Sequence, residues 1–317
     1  MRLTIREKEL LDALKNEPLI SQDELANRFN ISRSSIAVHI SNLMKKGYVL
    51  GKGYVINEQA SIVVFGETGL VINIRNEGKD SQIDLQYGGI SQQIGHILSR
   101  FGAKVKLVTL LGNDDVGNLI TDKLRENQVD TSNLFRNTEK RTSRKVIING
   151  QESFTEGPGR EEYQKIFELK SWLVTNCEWL IVEEQFQDMI NLLPHETAQM
   201  PLTCTYRFLE YPEEIPFCLT DYSVLVIGLE NSQYLDYYSR RLVEIGQTGS
   251  IINGIITDGA SRVICIDKSG VNDLPLPPNQ NFNTRGQLPL FMAGLIYGLS
   301  MGQPLRQAVR IGTGTAT

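Results

Sequence analysis

The sequence predicts an α/β fold built on a doubly wound parallel sheet, preceded by a small helical domain. From Ser61 onward, short runs of β-branched and aliphatic residues end at glycine, as in Ile62-Val63-Val64-Phe65 before Gly66, and alternate with amphipathic segments. This alternation is typical of a parallel sheet with helices on both faces. Residues 1–59 instead hold three helix-sized segments with a 3.6-residue period. We therefore expect two domains, residues 1–59 and residues 61–317.

The composition is that of a globular protein without a membrane segment. The 317 residues are 41% hydrophobic and 22% charged, which allows a substantial core. The longest apolar runs fall well short of the roughly 20 residues that span a bilayer, and the N-terminus has no apolar signal region. Without paired spacing, the cysteines indicate a reducing, cytoplasmic setting and small buried side chains; they are Cys177, Cys204, Cys218 and Cys265.

Charge is distributed unevenly between the two predicted domains. Residues 1–59 carry nine Lys and Arg against seven Asp and Glu, whereas the remainder carries 23 against 30. The first domain therefore has a small positive excess and the second a clear negative one. This asymmetry favours an anionic partner for the first domain alone.

Helical spacing and a capping motif mark the first two helices. The segment from Arg6 to Leu14 places leucines on one face, and Pro18 ends it. Ser21-Gln22-Asp23-Glu24 has the pattern of a capping box, in which the serine and glutamate side chains satisfy each other's free backbone N–H groups. It predicts the start of a second helix that runs to Phe29.

A third helix follows a tight turn at Asn30-Ile31. Ser32 can cap this helix, which we expect to run to about Lys46. Apolar residues at helical spacing supply its core face: Ile36, Ile40 and Leu43. The opposite face is then small, polar and basic; it comprises Ser34, Val38, Ser41 and Lys45, flanked by Ser35 and Asn42.

Two short alternating strands, Gly47 to Ile56, surround a Gly51-Lys52-Gly53 turn, and with the helices this pattern resembles winged helix-turn-helix regulators. The resemblance implies that the third helix enters a DNA major groove and that Lys52 contacts a phosphate. A winged helix used only for protein contact or dimerisation is the alternative, and His39 is assigned no role. The residues expected at DNA are Arg33, Ser34, Ser35, Val38, Ser41, Asn42, Lys45 and Lys52.

The second domain resembles the PfkB (ribokinase-like) carbohydrate kinases in several segments. They are Tyr87 to Gly102, Leu111 to Gly117, Val129-Asp130-Thr131-Ser132, and the apolar helix after Asn283-Thr284-Arg285-Gly286. The resemblance implies a ribokinase-like sheet from Ile62 to Thr317 and a sugar or nucleoside site walled by Gly88, Gly89 and Gln93.

The substrate side departs from the family pattern. The early aspartate that clamps substrate hydroxyls in the family falls near Val71, whose apolar side chain cannot do so. The family asparagine of the Gly-Gly segment becomes Gln93, which keeps an amide but is one methylene longer. We expect sugar binding to be weakened and not excluded.

The nucleotide side departs further. Thr257 and Gly259 keep part of the family's T-x-G-A-x-G turn, but Arg262 replaces its last glycine, and a Cβ there resists positive φ. The family's N-x-x-E element, which organises Mg²⁺, is missing after the strand Val224–Ile227. We interpret Glu230, which follows this strand, as a solvated loop carboxylate. The residues interpreted as vestigial nucleotide contacts are Thr257, Gly259 and Gly286.

The catalytic signature itself is changed. In the family, D-T-x-G-A-G-D supplies N–H donors at a helix N-terminus and a final aspartate as base. Here Gln287 and Leu288 replace the Ala-Gly pair, and Pro289 occupies the expected base position, in what we interpret as the first turn of the following helix. We therefore predict a pseudokinase with no catalytic residue and no metal site.

Two further features concern the edges of this domain. Lys145 to Phe154 has the pattern of a hairpin, where the family has strands that cover the sugar and contribute to a dimer contact. The chain ends at Thr317, sooner after the signature helix than is usual in the family, so a final helix near the nucleotide site is expected to be absent.

These observations favour a cytoplasmic DNA-binding transcriptional regulator. The expected partners are double-stranded DNA, a sugar, nucleoside or phosphorylated relative as effector, and a second copy of the chain; no membrane is expected. A body that serves only as a dimer scaffold remains an alternative. The rival is an ATP- and Mg-dependent sugar or nucleoside kinase with a regulatory head, whose base would be Asp258, Asp115 or Glu230.

Overall fold

The computed structural model describes residues 4–17, 20–45, 49, 62–77, 80–193, 200–246 and 250–317. Pro18, Lys52 and most of the predicted wing lie outside these residues.

Three helices pack around one small core in the N-terminal domain. They are α1 (Ile5–Asn16), α2 (Gln22–Phe29) and α3 (Arg33–Lys45), so the predicted helices are confirmed to within two residues. The Ser21 capping box is formed as predicted, and Asn30 ends α2 in the left-handed conformation, with φ 51°. Ser32 accepts the backbone N–H of Ser35 at 3.1 Å. The buried apolar residues common to this core include Leu10, Leu14, Leu25, Ile36, Ile40, Leu43 and Val49.

The body is organised around a nine-stranded sheet in the order β13-β12-β11-β10-β9-β8-β1-β4-β5. Its parallel strands are β1 (Ile62–Phe65), β4 (Val105–Gly112), β5 (Leu134–Asn137), β8 (Trp179–Val182), β9 (Leu202–Leu209), β10 (Val224–Leu229) and β11 (Asn253–Thr257). In register, Ile62 lies opposite Val105 on one side and Trp179 on the other. The doubly wound prediction is confirmed for these strands.

One edge of the sheet is antiparallel, which the sequence interpretation did not foresee. Strands β12 (Arg262–Asp267) and β13 (Gly270–Pro275) each pair antiparallel with their neighbour. Only residues 258–261 separate β11 from β12, too few for the helical crossover that a parallel connection needs. The short connection therefore dictates a hairpin at this edge.

Helices cover both faces of the sheet, as two buried clusters show. One cluster joins Phe65 and Val108 to α6 (Arg160–Leu169), α7 (Ser171–Thr175) and α8 (Leu235–Gly246). The other joins the alternate strand residues to the helices of the opposite layer, α4 (Ile90–Arg100), α5 (Asp115–Glu126), α9 (Thr284–Ser300) and α10 (Leu305–Ala316). Successive residues of a strand thus pack into two different cores, as expected for a sheet buried on both faces.

A smaller four-stranded sheet has the order β3-β2-β6-β7. Its strands are β2 (Gly69–Glu77), β3 (Asp80–Gly88), β6 (Ser143–Ile148) and β7 (Gln151–Glu156). The predicted hairpin is confirmed: β6 and β7 are joined through Asn149 and Gly150, with φ of 50° and 82°. Both central residues of a type I′ turn need such positive φ.

No helix within the described ranges is long and apolar enough to cross a membrane.

Candidate functional site

A cavity of about 120 Å³ lies between the small sheet and the carboxyl ends of β1 and β8. This is where ligands bind in open α/β sheets, because neighbouring parallel strands deliver their following loops to one edge. Its lining residues come from the small sheet, from the segments that follow β1 and β8, and from the start of α4: Glu67, Gly69, Leu70, Val71, Gly88, Gly89, Ile90, Ser143, Lys145 and Glu183.

Glu67 is the centre of a polar network in this cavity. Its carboxylate accepts hydrogen bonds from Lys145 Nζ at 2.8 Å, from Gln185 Nε2 at 2.9 Å and from the Ser143 hydroxyl. Burial opposes ionisation of Glu67, but the bonds from Lys145 and Ser143 outweigh it, so the pKa of Glu67 lies below its usual value. Burial likewise opposes the charge on Lys145, yet Glu67 raises the pKa of that ammonium. The cavity therefore holds an ion pair at neutral pH.

Glu183 is a second, more deeply buried carboxyl. It accepts the backbone N–H of Glu67 at 2.8 Å and the Ser91 hydroxyl at 2.6 Å. Burial raises the pKa of Glu183 to about 7, although both hydrogen bonds act in the opposite direction. A carboxyl that titrates near neutrality can donate or accept a hydrogen bond toward an occupant of the cavity.

Two of the three predicted ligand residues, Gly88 and Gly89, line the cavity. Their φ angles are 115° and 144°, conformations that favour glycine. A Cβ at Gly88 would lie 1.2 Å from Gln92 Oε1. Val71 also lines the cavity, so its wall is apolar at the position expected for the family aspartate. Gln93 is exposed on α4 and is not among the lining residues, so its role as a ligand contact stays a prediction.

Sequence reasoning missed Glu67, Lys145 and Glu183 as site residues. Glu67 follows β1 by two residues and Glu183 directly follows β8. A rule that marks acidic residues just after predicted parallel strands would have found both. Lys145 gave no such signal, since only the parallel pairing of β2 with β6 brings it to the cavity.

The N-terminus of α9, the expected catalytic centre, is capped by Asn283, through both its side chain and its backbone carbonyl. The backbone N–H groups of Arg285, Gly286 and Gln287 all donate to Asn283, at 2.9 Å to its side-chain Oδ1 and at 3.2 and 2.7 Å to its carbonyl oxygen. Gln287 Oε1 in turn accepts the Asn283 N–H at 2.6 Å. Leu288 is buried, and its side chain packs against Gly228.

The position of Pro289 corrects the sequence interpretation. Helix α9 begins at Thr284, so Pro289 is not in the first turn but inside the helix, where it is buried. It cannot donate the hydrogen bond that an interior residue gives to the carbonyl four positions earlier. Its ring is packed in the core, and it offers no acceptor to a substrate.

Arg285 projects beside this helix end. Its guanidinium lies 3.1 Å from Glu210 and 3.3 Å from Glu230, and 4.8 Å from the centroid of the Phe208 ring. Glu230, named as a candidate base, is therefore part of an exposed ion-pair cluster. Asp115, another candidate, is an exposed residue in the first turn of α5.

The turn after β11 is closed in a similar way. Asp258 accepts the backbone N–H groups of Ala260 and Ser261 at 3.1 and 2.9 Å, and the Ser261 hydroxyl at 2.6 Å. Burial opposes ionisation of Asp258, but these bonds outweigh it and lower its pKa. Gly259 keeps a positive φ of 70°, whereas Arg262 begins β12 and pairs with Asp236 at 2.7 Å. Thr257 hydrogen-bonds within the turn, to Gly259 N–H at 2.9 Å.

Most of the predicted DNA-facing residues of α3 lie on one accessible side, whereas Arg33 lies about 140° around the helix axis from Val38. Arg33, Ser34, Val38, Ser41 and Lys45 are exposed, and Ser35 and Asn42 are half-buried. Arg33 makes a long contact of 3.6 Å with Asp23, and both side chains are about two-thirds exposed. The hydroxyls of Ser34 and Ser35 each lie 2.8 Å from Ser32 Oγ.

Both domains match known families. Residues 3–49 match the winged helix-turn-helix DNA-binding family, and residues 59–198 match the pfkB family carbohydrate kinase. A relative described as the uncharacterized sugar kinase YeiI of Escherichia coli (strain K12) is 36% identical over 157 residues. That match spans 47% of this chain and 43% of the relative.

Solved structures share the fold of the body. A fructokinase from Halothermothrix orenii has a TM-score of 0.60 and 17% identity, covering 81% of this chain and 98% of its own. A ribokinase from Thermotoga maritima has a TM-score of 0.62 and 15% identity, covering 81% and 91%. A putative sugar kinase from Clostridium perfringens has a TM-score of 0.63 and 13% identity, covering 82% and 90%. At these identities the likeness shows the ribokinase-like fold.

Proposed function

We propose that this chain, which joins a winged helix-turn-helix domain to a pfkB-family domain, is a cytoplasmic DNA-binding transcriptional regulator. Its pfkB-like body binds a sugar, a nucleoside or a phosphorylated relative, dimerises, or does both. The observation that carries the proposal is the N-terminus of α9, where Asn283 and Gln287 satisfy the backbone and Pro289 stands in the place of a base.

Nucleotide phosphates do not fit the residues present. Phosphoryl transfer depends on N–H donors and cations aimed at the transferring group. At α9 the N–H groups of residues 285–287 are bonded to Asn283, and the cation Arg285 is held by Glu210 and Glu230. At the turn after β11, the Asp258 carboxylate occupies the position of an anion. These contacts disfavour binding of the ATP phosphates at this end of the sheet.

Across the described ranges, no group of three or more His, Cys, Asp or Glu is placed to hold a metal ion. Removal of even one donor from an anion hole costs about 10²–10³ in rate, so the combined changes favour a fold kept without the chemistry.

The cavity between the two sheets is the proposed effector site. Glu67 and Lys145 offer an acceptor and a donor held in place by their mutual ion pair, and Glu183 adds a carboxyl that titrates near neutrality. Groups of this kind hydrogen-bond hydroxyls, while Leu70, Val71 and Ile90 supply an apolar wall. The same edge of the sheet binds the ligand in other open α/β folds.

The small sheet supports dimerisation. Register places Ile72 opposite Leu85 and Val146, and Ile74 opposite Ile83 and Ile148, on the sheet face opposite to Val71 and Lys145. Among these, Ile83 and Leu85 are 63% and 48% exposed. An exposed apolar face continuous over neighbouring strands is typical of an interaction surface. A second copy at this face would give the protein two heads, able to read half-sites about 34 Å apart.

Fluorescence anisotropy of the full-length chain on DNA from upstream of its own gene tests the regulator function. Scrambled DNA of the same length is the control, and both are titrated across a salt series. We expect sequence-specific binding whose affinity falls with salt. Lys45→Ala should weaken binding and lower the salt slope by about one phosphate contact. Binding that is absent, or equal on scrambled DNA, would contradict the regulator function.

A sugar or nucleoside kinase with a regulatory head is the second candidate, favoured by the pfkB-family match and by the name of the relative. It would need Asp258, Asp115, Glu230 or the buried Glu183 as base. An ATP-dependent product from any member of a sugar and nucleoside panel, lost when one of these acids is replaced, would establish this function and overturn the proposed pseudokinase.

A further inference from the structure

The exposed side of α3 carries one large apolar side chain in the middle of polar ones. Val38 is 58% exposed, and along the helix it lies between Ser34 and Ser41 on the same side. It is the sixth residue of α3, in the N-terminal half of the helix. In helix-turn-helix proteins this half of the recognition helix meets base edges.

A second exposed apolar residue on α3 faces elsewhere. Met44 is 43% exposed and lies six residues after Val38. At about 100° per residue, the two side chains are separated by about 120° around the helix axis. Apolar exposure is thus present on two sides of α3, and the Val38 side carries the predicted DNA-facing residues of this helix other than Arg33.

The polar neighbours of Val38 toward the N-terminus are already engaged. The hydroxyls of Ser34 and Ser35 lie within hydrogen-bond distance of Ser32 Oγ, which also caps the helix. Hydrogen bonding in the cap restricts their orientations toward bases. Discrimination at this part of the helix therefore depends more on the shape and apolar character of Val38.

The chemistry of the major groove identifies what an apolar side chain can read there. Base edges in the major groove present hydrogen-bond donors and acceptors, and their one apolar group is the C5-methyl of thymine. We propose that Val38 is a specificity-determining residue that contacts the C5-methyl group of a thymine in each half-site. This inference rests on the proposed regulator function and adds a chemical element of the DNA sequence that it recognises.

Uracil substitution tests this contact directly. A duplex is first enriched from a random-sequence library on the full-length chain, and each thymine is then replaced in turn by deoxyuridine, which removes only the methyl group. One position in each half-site should weaken wild-type binding by about fourfold, the effect of one buried methyl group. Val38→Ala removes the contact in both half-sites of a dimer, so it should bind the thymine duplex about sixteenfold more weakly and lose its sensitivity to deoxyuridine at either position. Met44→Ala, the matched control, should retain wild-type affinity and sensitivity.

The outcomes separate this inference from the function on which it rests. Failure to enrich any sequence would overturn the regulator function. If a sequence is enriched, two results would overturn the Val38 contact alone. One is that every deoxyuridine substitution changes wild-type affinity by less than about twofold, and the other is that Val38→Ala remains as sensitive to deoxyuridine as the wild type. Circular dichroism of both variants checks that α3 is intact, as expected for substitutions at exposed positions.

Discussion

Two polar clusters of the body differ in their surroundings: one lines a cavity, and the other caps the N-terminus of a helix. In the cavity beside the small sheet, Glu67, Lys145 and Glu183 line an open space. At the N-terminus of α9, Asn283 and Gln287 bond to each other's backbone and to the helix end. Both arrangements are hydrogen-bonded internally, but the first borders a cavity in which a ligand can be accommodated. Under the proposed function, the cavity is the binding site and the N-terminus of α9 is part of the scaffold.

The largest expected effect distinguishes Gly259, in the turn after β11, from Gly286, at the N-terminus of α9. Gly259 has φ 70°, and a Cβ there would lie 2.1 Å from the Phe282 carbonyl oxygen, while Gly286 has open space around it. Gly259→Ala should destabilise the body by about 3 kcal/mol or more through clash and backbone strain. Gly286→Ala should be neutral or stabilising by up to about 1 kcal/mol, because alanine favours a helix. Chemical denaturation measures both.

If the N-terminus of α9 still bound a phosphate, Gly286→Ala would weaken nucleotide binding. A variant as stable as the wild type but impaired in nucleotide binding would show that this centre is still in use, and would weaken the contrast with the cavity.

An effect of similar size is expected for Glu183 as pH changes. The pKa of Glu183 is raised to about 7 from 4.5 by burial, so in the window between these values the folded protein holds a proton that the unfolded chain has released. This contribution to stability is present at pH 4.5 and is lost as pH rises to 7. It amounts to about 3 kcal/mol at about 1.4 kcal/mol per pKa unit.

Glu183→Gln removes this titration while keeping an acceptor for the Glu67 N–H and Ser91. Between pH 5 and 7, the stability of the variant relative to the wild type should therefore increase. Denaturant unfolding at several pH values measures the difference, and a constant difference across this range would show that Glu183 is ionised throughout.

A smaller effect compares the two cations. Lys145 is half-buried and pairs with a buried carboxylate, whereas the Arg285 side chain is 53% exposed. Lys145→Met should cost about 2 kcal/mol, because it leaves the Glu67 carboxylate without its main donor. Arg285→Met should have a much smaller effect on stability, as expected for a solvent-exposed ion pair. Equal losses in thermal unfolding would contradict the distinction between a buried network and a solvated cluster.

The parts of the fold that depend on local chemistry were predictable. The capping box at Ser21, the core face of α3 and the hairpin at residues 145–154 follow from spacing within a few residues. The departures at Gln287 and Pro289 were also visible, but the start of α9 at Thr284 was not, because an interior proline argues against a continuous helix. Tertiary packing of Pro289 overrode that preference.

The cavity could not be assembled from the sequence alone. Glu67 and Lys145 are 78 residues apart, and Ser91 and Glu183 are 92 apart. Their proximity depends on the pairing of β2 with β6 and on the order β8-β1-β4 in the large sheet. Sequence reasoning instead followed the family position at Gln93, which is exposed on α4.

The carboxyl of Glu183 gives the cavity a calorimetric signature. Near neutral pH this group is partly protonated, so an occupant that hydrogen-bonds one of its two forms must take up or release a fraction of a proton. The buffer supplies or absorbs that proton, and the observed binding enthalpy then changes with the ionisation enthalpy of the buffer. Titrations in phosphate and in Tris would differ for a compound that reaches Glu183 and agree for one that binds elsewhere on the body.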